Sequence, residues 1–202
     1  MNGDERAVSE TVSFVLVFAL VVASVGTVYA VGVSELESTR DAERVENAQR
    51  AFDVLADNLR DITEGAPSRG TEVKLSEATL RSVDDASMNV TVDPDGASPT
   101  YWEYAMSPIV YDVEAGGEIR LSNGAVLRDS ERSGSAVVRG PPLVVDDDHI
   151  QLTLIRQEHV GSAVTGGSQT VRVRMAATRS RLFYDNESVN HEMVRVNVTT
   201  PY

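Results

Sequence analysis

Several groups of residues are of types that do chemistry elsewhere, and none is spaced to do it here. Asp146-Asp147-Asp148-His149 sets four oxygen and nitrogen donors in a row, the kind of group that can chelate a hard divalent cation. Calcium loops space their carboxylates as D-x-D-x-D-G so that they converge. The consecutive run here, between Val144-Val145 and a following strand, reads as a solvated acidic loop. His149, His159 and His191 lack the spacing of a zinc site. Ser162 follows His159 without the context of a nucleophile elbow. Gly166-Gly167-Ser168 lacks the lysine and the following helix of a phosphate loop. The chain has no cysteine, so a disulfide framework, a thiolate metal site and a cysteine nucleophile are all absent. The sequence predicts no enzyme, no cofactor and no metal site.

One further pattern concerns modification. Asn89-Val90-Thr91, Asn186-Glu187-Ser188 and Asn197-Val198-Thr199 are N-glycosylation acceptor patterns, and they take three of the eight asparagines. All three fall in the C-terminal part of the chain, and Asn89, Asn186 and Asn197 matter as acceptors only if that part lies outside the cytoplasm.

The charge balance excludes one class of partner. With 18 basic and 31 acidic residues the chain carries −13, so it has no basic footprint for nucleic acid. Lys74 is the only lysine; the other basic residues are arginines. Acidic excess with almost no lysine points to a high-salt setting. At molar salt the Debye length falls to about 3 Å, so repulsion among many carboxylates is screened.

These residues are carried by three kinds of segment. From Thr11 to Ser34 there is no charged residue. As a helix this run spans about 36 Å at about 1.5 Å per residue, more than the roughly 30 Å hydrocarbon core of a bilayer. Its many β-branched residues do not forbid a helix, because hydrocarbon forces every backbone polar group to be satisfied within the segment. Ala19, Ala23, Gly26, Ala30 and Gly32 are small enough for neighbouring helices to approach closely. The run is too long for the apolar part of a cleaved signal peptide, and the start MNGDER is acidic on balance. Flanking charge does not orient it: Arg6 stands on one side, Arg40 and Arg44 on the other.

Residues 35–64 continue as an amphipathic helix. Val45, Ala48, Phe52, Leu55, Leu59 and Ile62 step by three and four, which makes one apolar stripe. No Gly or Pro interrupts Ser34 to Glu64; Gly65 and Pro67 then supply a C-terminal stop. The stripe is expected to pack on the protein's own outer domain and, in part, on neighbouring subunits. Beyond Gly65, short alternating stretches appear at 72–75, 88–92, 109–113, 118–122, 125–128, 136–139, 150–155, 170–175 and 193–198. They are bounded by turn signals such as Pro94-Asp95-Gly96, Gly116-Gly117 and Gly140-Pro141-Pro142, which reads as antiparallel β. Asn123-Gly124 between two of them is a strong hairpin signal. The expected fold is α+β: a long N-terminal transmembrane and amphipathic helix, then an antiparallel β-rich, sandwich-like domain of eight or nine strands.

Asp4-Glu5-Arg6-Ala7-Val8-Ser9-Glu10, followed at once by the apolar run, resembles the N-terminus of archaeal type IV pilin-like proteins. The resemblance covers about a third of the chain. It implies a leader over 1–6 cut by a membrane-embedded prepilin peptidase between Arg6 and Ala7, a membrane helix over 7–34, its amphipathic continuation over 35–64, and an extracellular domain over 65–202. It further implies a single-pass membrane protein whose apolar helix also forms the core of a filament with other pilin-like subunits. Glu10 departs from the pattern, since many archaeal pilins have proline or an uncharged residue there. Bacterial pilins carry a glutamate one residue later, counted from a cut after Arg6. Glu10 could pair with the free amine of Ala7 on a neighbour, or simply mark the helix end at the headgroups. Gly26 and Phe52 are the other assembly candidates. The implied function is a pilin-like structural or adhesive subunit of the cell surface, with the size of the outer domain favouring a minor or pilin-like role. The alternative is a membrane-anchored extracellular binding module that never enters a filament.

Overall fold

The computed structural model describes residues 4–84, 86–94, 98–113, 117–130, 134–146, 150–182 and 191–199. The fold is α+β, with one long helix followed by an antiparallel β-rich part. Helix α1 covers Asp4–Thr63. It ends where the sequence places the stop. Gly65 takes φ 114°, its N–H donates to the Ile62 carbonyl, and the Ala66 N–H donates to the Asp61 carbonyl. That bond pair is a Schellman cap, and it needs a left-handed residue that glycine supplies without steric cost.

The chain divides into two compact units, Met1–Glu43 and Arg44–Tyr202. Among its described residues the first is helix alone. The second joins the last turns of α1 to thirteen strands among the described residues: β1 Ser68–Lys74, β2 Thr79–Ser82, β3 Ala86–Pro94, β4 Thr100–Met106, β5 Ile109–Val113, β6 Gly117–Ser122, β7 Ala125–Asp129, β8 Ala136–Arg139, β9 Leu143–Val145, β10 Ile150–Leu152, β11 Val164–Gly166, β12 Thr170–Ala176 and β13 His191–Thr199. Seven of the nine alternating stretches lie wholly on strands; 72–75 runs past the end of β1 by Leu75, and of 150–155 only Ile150–Leu152 is strand, the rest being irregular chain. β2, β4, β9 and β11 were not among the stretches. Three of these have only three or four residues, too few to show a period. In β4 the apolar residues adjoin one another, and the aromatic enrichment of Tyr101, Trp102 and Tyr104 was the available signal.

Six strands form one sheet in the order β11-β2-β5-β6-β7-β8, three form β13-β3-β4, and β1-β12 and β9-β10 are two-stranded ribbons, all antiparallel. The Asn123-Gly124 hairpin joins β6 to β7 with both residues at positive φ, 48° and 75°, and Ser122 opposite Ala125. Two positive φ values match the right-handed twist of the flanking strands. Asn123 has a second role: its Oδ1 accepts from the Ile155 N–H at 2.7 Å, which ties the irregular chain after β10 to the hairpin.

The main core lies between α1 and the strands. Val45, Ala48, Phe52, Leu55 and Ala56 are buried against Val73 of β1, Leu75 just after it, and Leu80, Tyr111, Val113, Ile119, Leu121 and Val126 from the large sheet. Phe52 meets Tyr111 edge-on, ring centroids 6.3 Å apart at 74°. A smaller cluster of Ala86, Met88, Val90 and Met106 sits under Trp102, Leu152 and Leu154 on the three-stranded sheet.

Candidate functional site

The two stretches of α1 have opposite environments. Between Val12 and Val33 fourteen large apolar side chains are exposed, Phe14 at 71% and Tyr29 at 74% among them. Soluble monomers rarely expose a contiguous apolar patch beyond a few hundred Å². Fully burying one such side chain is worth about 1.5–3 kcal/mol, so water is a poor solvent for this stretch. Two of its hydroxyls bond back to the helix: Ser24 Oγ donates to the Leu20 carbonyl at 2.7 Å, and Thr27 Oγ1 to the Ala23 carbonyl at 2.9 Å. Hydroxyls satisfied on their own helix add little polarity to its outer surface. Phe14 and Phe18 stack one turn apart. A side chain at Gly26 or Gly32 would meet nothing within 4 Å, so neither glycine is required by the chain's own packing. Among the described residues α1 is a candidate membrane span by length and composition.

From Val45 onward the same helix is held by its domain. Phe52 and Leu55 are fully buried. Phe52 was expected as an assembly residue, and the structure corrects this: its ring fills the core of its own unit and presents nothing to a partner. The stripe is consumed because Tyr111, Ile119 and Leu121 offer it an apolar sheet face in the same chain. Polar contacts flank the stripe. Arg44 pairs with Glu77 at 2.6 Å, Arg139 with Asp57 at 2.6 Å and Arg69 with Asp61 at 2.9 Å, while Asn58 Nδ2 donates to Thr71 Oγ1 at 2.6 Å. The ion pairs are partly exposed and each contributes little, so burial fixes the helix and the pairs set its register.

The fold moves the acidity of Tyr111. Burial pushes its phenol above the ordinary tyrosine range, and the Arg44 charge partly offsets this. Its hydroxyl donates to the Leu75 carbonyl at 2.6 Å, so the protonated form is the one the site holds.

The remaining sequence candidates are dispersed. Arg6, Ala7 and Glu10 lie on the first turns of α1, and their side chains are outside the described residues. Asn186 and residues 147–149 also lie outside them. His159 is exposed in irregular chain, and Gly167 closes the turn before β12 with its carbonyl accepting from the Glu77 N–H. No cluster of three or more His, Asp or Glu side chains suited to a metal occurs among the described residues. Asn89 and Asn197 are brought together: they are register partners on β3 and β13. Asn197 is exposed, whereas Asn89 is half-buried with its Oδ1 shut away from solvent. Nothing in the local sequence distinguished the two, because their difference depends on which strands flank β3.

No curated protein and no solved structure matches the chain. A family model does match over residues 6–202, taking in the exposed helix and the β-rich unit alike, and the chain therefore belongs to the Family of unknown function (DUF7289).

Proposed function

We propose that this protein is a pilin-like, single-pass membrane protein of a salt-loving archaeon, with the unit Arg44–Tyr202 outside the cell and the apolar stretch of α1 as both anchor and assembly surface. The observation that carries the reading is the switch along one helix. Residues 11–37 are exposed and largely apolar, while Val45, Ala48, Phe52 and Leu55 are sealed into a domain. A helix meant only to complete a soluble core would not continue for more than thirty residues beyond it. A simple anchor needs a span but not the Arg6-Ala7 junction that resembles a prepilin cleavage site. The acidic, nearly lysine-free composition supports the high-salt setting. In this reading Ala7 becomes the mature N-terminus, Glu10 sits at the membrane edge where a carboxylate is tolerated, and Gly26 allows close helix approach.

The test is the mass of the mature N-terminal peptide of protein taken from the cell envelope. The expected result is a chain beginning at Ala7, with Arg6→Glu left uncut. A mature chain beginning at Met1 or beyond Gly32 would overturn the prepilin assignment and leave the anchored binding module as the better description.

A further inference from the structure

Charge is not spread evenly over this acidic chain. Between Glu158 and Asp185 the sequence has no carboxylate and four arginines, Arg172, Arg174, Arg179 and Arg181. The first two lie on β12, whose alternation sends Val171, Val173 and Met175 onto the core and leaves Arg172 and Arg174 exposed on the opposite face. Lys74 is exposed on that same face, because its register partner is Thr170. Arg174 stands opposite Gly70, and Arg172 Nε comes within 3.1 Å of where a β-carbon on residue 70 would be. The absence of a side chain at 70 thus leaves room for the Arg172 guanidinium along the ribbon.

Elsewhere in this unit several arginines are matched, although among the described residues Arg60 and Arg128 also lack a carboxylate within 4.0 Å and Arg128 reaches only the Gln49 amide oxygen. Arg44 has Glu77, Arg69 has Asp61, Arg81 and Arg120 share Glu118, and Arg139 has Asp57. Among the described residues Lys74, Arg172, Arg174 and Arg179 have no carboxylate within 4.0 Å. Glu72 is the register partner of Arg172, yet it is not close enough to pair. An acidic protein that leaves a basic face unmatched has that face available for an acidic partner.

A second patch supplies the complement. Glu35, Glu37 and Glu43 on α1 are exposed and have no cation within 4.0 Å among the described residues. They lie after the uncharged run and before Val45, where burial begins.

We infer that the basic face of the β1–β12 ribbon docks on the acidic 35–43 stretch of α1 from a second copy of this chain. The inference rests on the filament reading, in which helices of one subunit meet the outer domains of others. The two patches differ, so the contact is heterologous: each copy can give one and receive the other, and the contact propagates instead of closing as a dimer. Molar salt removes the long-range repulsion between two chains of −13 each, while arginine–carboxylate pairs in direct contact keep their paired hydrogen bonds.

The experiment uses the full chain at high salt, with tagged and untagged copies co-expressed in membranes. Arg172→Glu with Arg174→Glu should lower recovery of the untagged copy by about tenfold or more, as like charges are set against each other. Glu35→Arg with Glu37→Arg should do the same. All four changes together should restore recovery. Because the chain has no cysteine, Glu37→Cys in one copy and Arg174→Cys in the other give an independent readout: a covalent dimer on oxidation. If the wild-type copies associate but both reversals leave recovery and cross-linking unchanged, this contact is wrong and the filament reading survives. If wild-type copies never associate, both fall. If the arginine reversal abolishes binding to anionic lipid vesicles and leaves association intact, the basic face belongs to a lipid surface and the inference is overturned.

Discussion

The N-terminal and C-terminal stretches of α1 are both apolar, and only the second is covered. Phe18 and Phe52 make the contrast concrete: one is 61% exposed on a bare helix, the other fully buried against Tyr111. The difference comes from pattern. In the uncharged run apolar residues occupy every face, so no single sheet could cover it; an environment that surrounds the helix is required. In the later stretch they occupy one stripe, which one sheet face covers completely.

The sharpest way to break this comparison is to place the same charge on each side of it. Phe52→Glu puts a carboxylate where no partner can reach it. It should destabilise the second unit by more than about 4 kcal/mol, enough to unfold a marginally stable domain. Loss of near-ultraviolet circular dichroism and of protease resistance would report it. Phe18→Glu should leave that unit folded and instead weaken membrane retention, since a central charge opposes insertion by roughly 2.5–3.5 kcal/mol. Equal unfolding by both substitutions would mean that the two stretches are not independent.

A smaller effect is expected from Tyr111, which lines the covered half. Tyr111→Phe keeps the ring contact with Phe52 but removes the bond to the Leu75 carbonyl, at a cost of about 1–2 kcal/mol at neutral pH. The pH dependence has a definite sign. The folded phenol titrates above its unfolded value of about 10, so the unfolded chain loses its proton first. Stability linked to Tyr111 is complete below pH 10 and is lost as pH rises through the folded value. Denaturant midpoints of wild type and Tyr111→Phe should therefore stay parallel below pH 10 and converge above it. Midpoints that stay parallel to pH 11 would contradict this.

The smallest effect on folding should come from Gly26→Leu. A side chain there meets nothing in the chain's own structure, so the second unit should melt as the wild type does. If the proposed assembly through α1 holds, co-purification with a second copy should nonetheless be lost, because bulk at 26 keeps helices apart. If nothing changes and the protein isolates as a monomer in detergent, the helix is an anchor only.

The local elements were legible from short-range signals in the chain. An uncharged run longer than a bilayer, a three–four stripe, glycine at 65 and Asn-Gly at 123–124 each specify a conformation through covalent geometry or periodicity within a few residues. Even there the strand count ran short, since three-residue strands such as β9 and β11 have no period to read. Tertiary structure decided the partners. β12 pairs with β1, β13 with β3 and β11 with β2, each across a long stretch of chain. Alternation says which residues share a face and is silent on which strand lies alongside. The fate of Phe52 followed from that pairing. A stripe states only that one helix face is apolar, and whether a sheet in the same chain or a neighbouring subunit covers it depends on where the sheet's own apolar face is assembled. The unmatched arginines of β12 became visible for the same reason: the chain carries ample carboxylates, and only the packed structure shows which arginines they reach.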